Sequence, residues 1–426
     1  MPVGLKTAWR TTIGGTLTSL TCGAGKVLVS QVDANTVYAL NADSGEVAWS
    51  RTVGGPVDSP PTVYRGLVLF GCRDGRVYCL RASDGELVWR FSAARRQRYV
   101  VAMERVESAW PVHGSVLVRD GLAWFVAGRS PYLDGGLRLY ALEAVSGKVA
   151  VSKRLDSRGG QATPPMRPDI LSSSSGLVYM RWMGFDAKGG IAKRVKPHLF
   201  SATGFLDDTW WHRTYWQYGT WMRGGFGGWP QAARRNIAGR ILVADDKSAF
   251  GFGRSKYDVG NPKDVHAGHI GVVKDGYQDE GRIDHSRNPY RLFSAARTGP
   301  AKAPARRRRG GGAPVRYNWS VPAAMLVRAM VLVDPSTPST GSGQASSGQG
   351  RTLFVAGPPA GRQNRGLSEL DRATAGLLWA VSAADGKKLA EVPLDSPPVF
   401  DGLIAAAGRL YMAALDGHVV CYEGRK

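Results

Sequence analysis

The densest run of chemically capable side chains is Asp207-Asp208-Thr209-Trp210-Trp211-His212-Arg213-Thr214-Tyr215-Trp216, followed by Trp221 and Trp229. Two carboxylates and a guanidinium beside flat rings suit the stacking of a sugar or another planar ligand and the holding of its polar rim. The competing reading is an aromatic insert that packs on neighbouring sheets and satisfies its polar tips locally, since large aromatics are commonly buried. Asp207, Asp208, Trp210, Trp211, His212, Arg213, Tyr215 and Trp216 are therefore the first ligand-surface residues to consider, and no residue takes a catalytic role by motif. Asp245-Asp246 offers paired acids of the kind that bind Ca2+, but Asp also forms turns, and a turn is the expectation here. His266, His269 and His285 have no third and fourth ligand at a recognised metal spacing, so no metal site is expected. Arg306, Arg307, Arg308 and Arg309 suit phosphate contacts. Without an interleaved aromatic groove they promise only non-specific anion contacts from a solvated loop.

Positioning such residues takes a frame, and the frame is a repeat. Trp9, Trp49 and Trp89 stand 40 residues apart, and Tyr38, Leu40, Gly45 and Glu46 recur as Tyr78, Leu80, Gly85 and Glu86. A period of this length with strand-like content means propeller blades. One unit is readable from Ser59 to Trp89: an inner strand opened by Ser59-Pro60-Pro61, a second over GLVLFG (66–71), a turn at Arg73-Asp74-Gly75, a third strand from Arg76 to Leu80, a turn at Ala82-Ser83-Asp84-Gly85, and an outer strand to Trp89. Fainter copies occur at Gly136–Lys148 and Leu378–Lys387. The last copy, Ser396 to Tyr422, lacks an outer strand, whereas Leu5 to Trp9 is an outer strand with nothing before it. The N-terminal strand is thus expected to complete the C-terminal blade, which removes an exposed sheet edge.

The expected fold is an all-β propeller of four-stranded antiparallel blades occupying residues 1–426 as one domain, with seven blades and eight as the alternative. The blades are placed at about 10–51, 52–92, 106–155, 160–216, 218–295, 317–392, and 393–422 plus 5–9, with low-complexity loops at 296–314 and 334–350. Aligned on the repeat, Cys79 and Cys421 share a column with Ala39 and Ala141, which makes them small packing residues rather than disulfide partners.

The stretch Val37-Tyr38-Ala39-Leu40-Asn41-Ala42-Asp43-Ser44-Gly45-Glu46-Val47-Ala48-Trp49 resembles the pyrroloquinoline-quinone (PQQ) type of repeat, shared by quinoprotein dehydrogenases and the assembly lipoprotein BamB. The order of Leu206–Arg213, Gly239–Val243 and Leu377–Leu389 is also similar to that in PQQ-like propeller proteins of planctomycete bacteria. The quinoprotein resemblance would imply PQQ with Ca2+ and oxidation of alcohols or sugars. Those enzymes carry a vicinal Cys-Cys that stacks on the quinone, and this sequence has none. No cofactor is therefore expected, and PQQ with Ca2+ belongs to the alternative reading only.

The net charge is +22, which favours anionic partners or simply a basic surface. No run of 18 apolar residues occurs, so no transmembrane segment is expected. Met1 to Lys6 does not read as a signal peptide, so the chain is expected to be cytoplasmic, or else a mature form or a fragment. The resemblance implies a periplasmic or cell-envelope setting. Insertions at 93–108, 200–230 and 296–314 on a rigid frame point to a monomeric, non-catalytic scaffold for a protein or acidic polysaccharide partner. Quinoprotein-type oxidoreductase is the alternative.

Overall fold

The second strand of the best repeat, Leu67–Cys72, is almost wholly apolar and buried. Successive residues of a strand point to opposite faces, so such a strand must be covered on both sides. In the computed structural model Val68, Phe70, Tyr78 and Leu80 pack with Leu28, Val37 and Trp49 of the preceding sheet. Their neighbours Leu69, Val77 and Cys79 pack with Phe125, Tyr140 and Leu142 of the following one. Here the core is therefore sheet on sheet, with one sheet sandwiched between the preceding and the following one.

The structure describes residues 4–94, 96–102, 105–156, 170–201, 216–220, 232–254, 290–297, 314–334, 350–360 and 375–424. Among these every regular element is a strand, and no helix is long and apolar enough to cross a membrane. Blade 1 runs from Thr21 to Thr52, blade 2 from Thr62 to Ser92 and blade 3 from Leu117 to Leu155, each a four-stranded antiparallel meander. Among the described residues, blades 4 (Ser172–Phe185) and 5 (His198–Gly239) have three strands each, and blades 6 (Ile241–Pro322) and 7 (Ala329–Leu394) have four. Blade 8 consists of Pro398–Ala406, Arg409–Ala414 and His418–Gly424, and the N-terminal strand Leu5–Thr12 pairs with the last of these as expected. The fold is an eight-bladed β-propeller. The preferred count of seven is corrected to its alternative, because the stretch from Ser172 to Pro322, where the repeat is faint, holds three sheets.

The chain forms two compact units. One comprises Trp9–Arg213 with Tyr411–Cys421, and the other Met1–Ala8, Thr214–Leu410 and Tyr422–Lys426. In the first, the recurring Trp explains itself. Trp49 of blade 1 donates its indole N–H to the carbonyl of Ala82 at 2.9 Å and lies over Gly85 in the turn of blade 2. Trp9 does the same to Ala42 and Gly45, and Trp89 to Ala144 and Gly147. Gly85 has φ +73°, and a Cβ there would lie 2.7 Å from the Trp49 ring, so both the turn and the docked indole demand glycine. In the second unit Trp319 docks on Ala383 and Gly386 in the same way, and blades 6 and 7 share a core of Phe250, Phe252, Leu292, Leu353 and Val355.

All four cysteines are free thiols. Cys79 and Cys421 are fully buried in the small-residue column, and burial pushes the Cys79 thiol up to about 12.

Candidate functional site

Between blades 2 and 3 the chain inserts a hairpin, Tyr99–Ala102 paired with Arg105–Ser108. Its two faces differ. Glu107 is buried on one, while on the other Tyr99, Val101 and Val106 are 54%, 77% and 66% exposed and only Ser108, at the base, is buried. Val101 sits opposite Val106 in register, so these three side chains form one outward apolar face. Among the described residues the hairpin has no third strand, so Tyr99–Ala102 stands as a sheet edge there.

A buried ionic cluster anchors the hairpin. Glu107 forms an ion pair with Arg129, and its other oxygen lies 3.8 Å from Nε of Arg73, which is only 1% exposed. Arg73 Nε also donates to Asp58 Oδ2 at 3.1 Å, and His113 Nδ1 lies 2.7 Å from the same oxygen. The Gly114 N–H donates to Asp58 Oδ1 at 3.2 Å. Burial opposes ionisation of Asp58, but His113, Arg73 and the Gly114 N–H outweigh it and hold this carboxyl well below the usual carboxylate range. The Arg73 carbonyl accepts from Ser108 N at 2.8 Å, and Arg105 ties the hairpin tip to Asp33 at 2.7 Å. A protruding, apolar edge is thus mounted on a rigid, charged pedestal.

Two cavities lie on this side of blade 2, the first of them at the hairpin and both lined by Arg76. One of about 230 Å3 opens at the hairpin base and is lined by Arg76, Arg96, Gln97, Arg98, Tyr99 and Ser108 among others. The second, about 240 Å3, lies along the outer strands of blades 1 and 2 and includes Arg51, Arg76, Tyr78, Leu87 and Arg90. The only carboxylate lining either is Asp74, which accepts from Arg76 Nη1 at 3.0 Å and from the Tyr78 hydroxyl at 2.6 Å.

Residues 6–162 match the family described as outer membrane protein assembly factor BamB. The repeat is PQQ-like. Solved structures resembling the chain include BamB from Moraxella catarrhalis, with 12% identity over 99% of this chain and 88% of that one and a TM-score of 0.40. The computationally designed Ika8 protein shows 11% identity, 97% coverage of both chains and a TM-score of 0.42. The quinohemoprotein alcohol dehydrogenase ADHIIG from Pseudomonas putida HK5 shows 15% identity over 99% of this chain and 67% of that one, with a TM-score of 0.38. Among curated proteins there is no significant match.

Of the residues singled out by sequence, Trp216 is half-buried at the start of a strand of blade 5, paired with Gly239. Asp207, Asp208, Trp210, Trp211, His212, Arg213 and Tyr215 lie outside the described residues, as do Trp221, Trp229, His266, His269, His285 and Arg306–Arg309. Asp245 makes the turn between two strands of blade 6: its Oδ1 accepts the N–H groups of Lys247 and Ser248, and its other oxygen pairs with Arg351. The pedestal residues Asp58, Arg73, Glu107 and His113 carried no sequence signal as a group, because they come from four separate segments. The nearest hint was the arginine-rich insertion at 93–108, of which Arg96, Arg98 and Arg105 are among the described residues.

Proposed function

We propose that this PQQ-like propeller is a non-catalytic binding scaffold, and that a protein partner docks on the hairpin Tyr99–Ser108. The observation that carries the reading is the apolar face of Tyr99, Val101 and Val106, exposed on a sheet edge and held by a buried ionic pedestal. An unpaired edge supplies main-chain hydrogen bonds to an incoming strand, and alternate side chains supply specificity. Arg96 and Arg98 at the hairpin base suit a partner segment that carries acidic residues beside its apolar ones. A second copy of this chain is a poor occupant, since a +22 charge repels itself. The BamB description of residues 6–162, a stretch that contains the hairpin, supports an assembly role and a cell-envelope setting. The segment Asp207 to Trp216 is proposed as a further part of the partner surface.

The test is partner retention by the full chain. Val101→Asp with Val106→Asp should abolish retention without lowering the melting temperature, and Trp210→Ala with Trp211→Ala should weaken it. Retention untouched by the hairpin pair would overturn the docking surface. Addition of PQQ with Ca2+ tests the oxidoreductase alternative: a thermal shift accompanied by dye-linked oxidation of an alcohol or aldose would replace the scaffold reading.

A further inference from the structure

The two arginine-lined cavities carry an inference beyond partner docking on the hairpin. They share Arg76, so Arg51 and Arg90 on one side and Arg96 and Arg98 on the other form a continuous cationic stripe across blade 2. Local structure explains why the arginines gather there. On the outer strand Leu87–Ser92, Trp89 and Phe91 are half-buried while Arg90 and Ser92 alternate outward. Arg90 lies opposite Tyr78 in register, and Ser92 opposite Arg76. Arg76 is held in place by Asp74, and Arg98 by Asp134 at 2.6 Å. Arg51, Arg90 and Arg96 line the cavities, and no carboxylate among the described residues pairs with any of the three.

The rest of the lining narrows the ligand. Ser92, Gln97 and Ser108 offer hydroxyl and amide groups, Tyr99 an exposed aromatic plate and Tyr78 a buried one, and Val53 and Leu87 short apolar surface. Each cavity, at about 230 and 240 Å3, is smaller than the roughly 300–1,000 Å3 of a site for a drug-sized molecule. That scale fits one sugar ring per cavity better than one nucleotide. Nucleic acid without sequence preference is held by successive aromatic platforms, and this cleft exposes one. Guanidinium is matched in shape to carboxylate and sulfate, which it binds bidentately.

We infer that the cleft binds an acidic polysaccharide, with anionic groups of successive sugars held by Arg51 and Arg90 in one cavity and by Arg76 and Arg96 in the next. The inference does not rest on Val101 and Val106, which line neither cavity, although Tyr99 and Arg96 belong to both surfaces.

The experiment is calorimetric titration of the full chain with polygalacturonate at 0.15 M salt, where generic long-range attraction is largely screened. Dextran, poly-glutamate, single-stranded DNA and heparin run in parallel. Polygalacturonate or heparin should bind, and dextran should not; which of the two binds tighter separates carboxylate from sulfate recognition. Arg51→Gln with Arg90→Gln should weaken binding at least about tenfold, as expected for loss of charge-assisted hydrogen bonds. The charge-matched control Lys148→Gln with Lys387→Gln, both exposed and outside the cleft, should change it less than about twofold. Val101→Asp with Val106→Asp should leave it intact, which separates failure of this site from failure of the docking surface. Equal losses in the arginine pair and the lysine pair would overturn the site. So would poly-glutamate or single-stranded DNA binding as tightly as the acidic glycans, since the cleft would then recognise an acidic peptide or nucleic acid.

Discussion

Blade 2 receives its neighbour through an indole, and blade 4 through an isopropyl group. Trp49 enters the turn of blade 2 with a hydrogen bond to Ala82 and its ring over Gly85. At the same register position of blade 3, opposite Ala141, stands Val151, and it packs on Gly189 in the turn of blade 4. Both glycines have positive φ, +73° and +75°. The turn's demand for glycine thus survives where the ring does not. The contact that the glycine admits is what varies. Blade 2 has six-residue second and third strands, whereas blade 4 has strands of four and three. Blade 2 also carries the hairpin and the cationic cleft at its margin, which fits a rule that protruding recognition elements sit on the best-braced part of a scaffold.

The comparison can be broken most directly by removing the two docked side chains. Trp49→Ala should cost about 3–5 kcal/mol, the usual range for a buried Trp. Val151→Ala should cost only about 1–2 kcal/mol, in proportion to its smaller apolar area. Urea denaturation of the two variants decides this, and equal losses would mean that the indole adds nothing that an isopropyl group does not.

Next in size comes the pedestal. Glu107→Ala leaves Arg73 and Arg129 facing an emptied acid position in a buried site, and should cost about 3 kcal/mol. Hydrogen exchange should speed up at Val100, Ser108 and Ala109 before it does in the strands of blade 2. The same pedestal sets an acid dependence. The carboxyl of Asp58 is held down in the folded state, so its stabilising contribution is complete above the unfolded carboxylate value of about 3.9 and declines as pH falls below it. In Asp58→Asn that part of the acid-induced loss should be missing when melting temperatures are compared between pH 6 and pH 3.

A smaller effect sharpens the glycine comparison. Alanine at either turn meets the left-handed penalty of about 1–2 kcal/mol. Gly85→Ala should exceed Gly189→Ala, because a rigid ring yields less readily than the end of a valine side chain. Equal melting-temperature shifts would show that the turn alone sets the requirement. Smallest of all is the exposed tether at the hairpin tip. Arg105→Ala should cost about 0.5 kcal/mol, as surface ion pairs do, and should show mainly as greater exchange at the tip.

Much of the scaffold was legible in the chain itself. Period-40 Trp, the Ala-x-x-Gly turns and the alternation of apolar residues are local patterns, and local patterns dictate strands and turns. They gave the all-β blades, the completion of the last blade by Leu5–Thr12, and the packing role of Cys79 and Cys421. The blade count was less legible, because blades 4 and 5 are built from short strands that carry little periodic signal. The site was least legible. Arg73 reads as a turn residue, and it is one, yet its side chain is the hub of a buried cluster.

What the sequence determined by itself is therefore the repeat: which residues form strands, where each turn needs glycine, and which small residues fill the columns between blades. Only the tertiary structure decided that Asp58, Arg73, Glu107, His113 and Arg129 meet under one hairpin, and that Arg51, Arg76, Arg90 and Arg96 line one cleft. The physical reason is range. Strand and turn preferences act between near neighbours in the chain, whereas these charges come from different strands, loops and blades and are brought together only when strands pair and sheets stack.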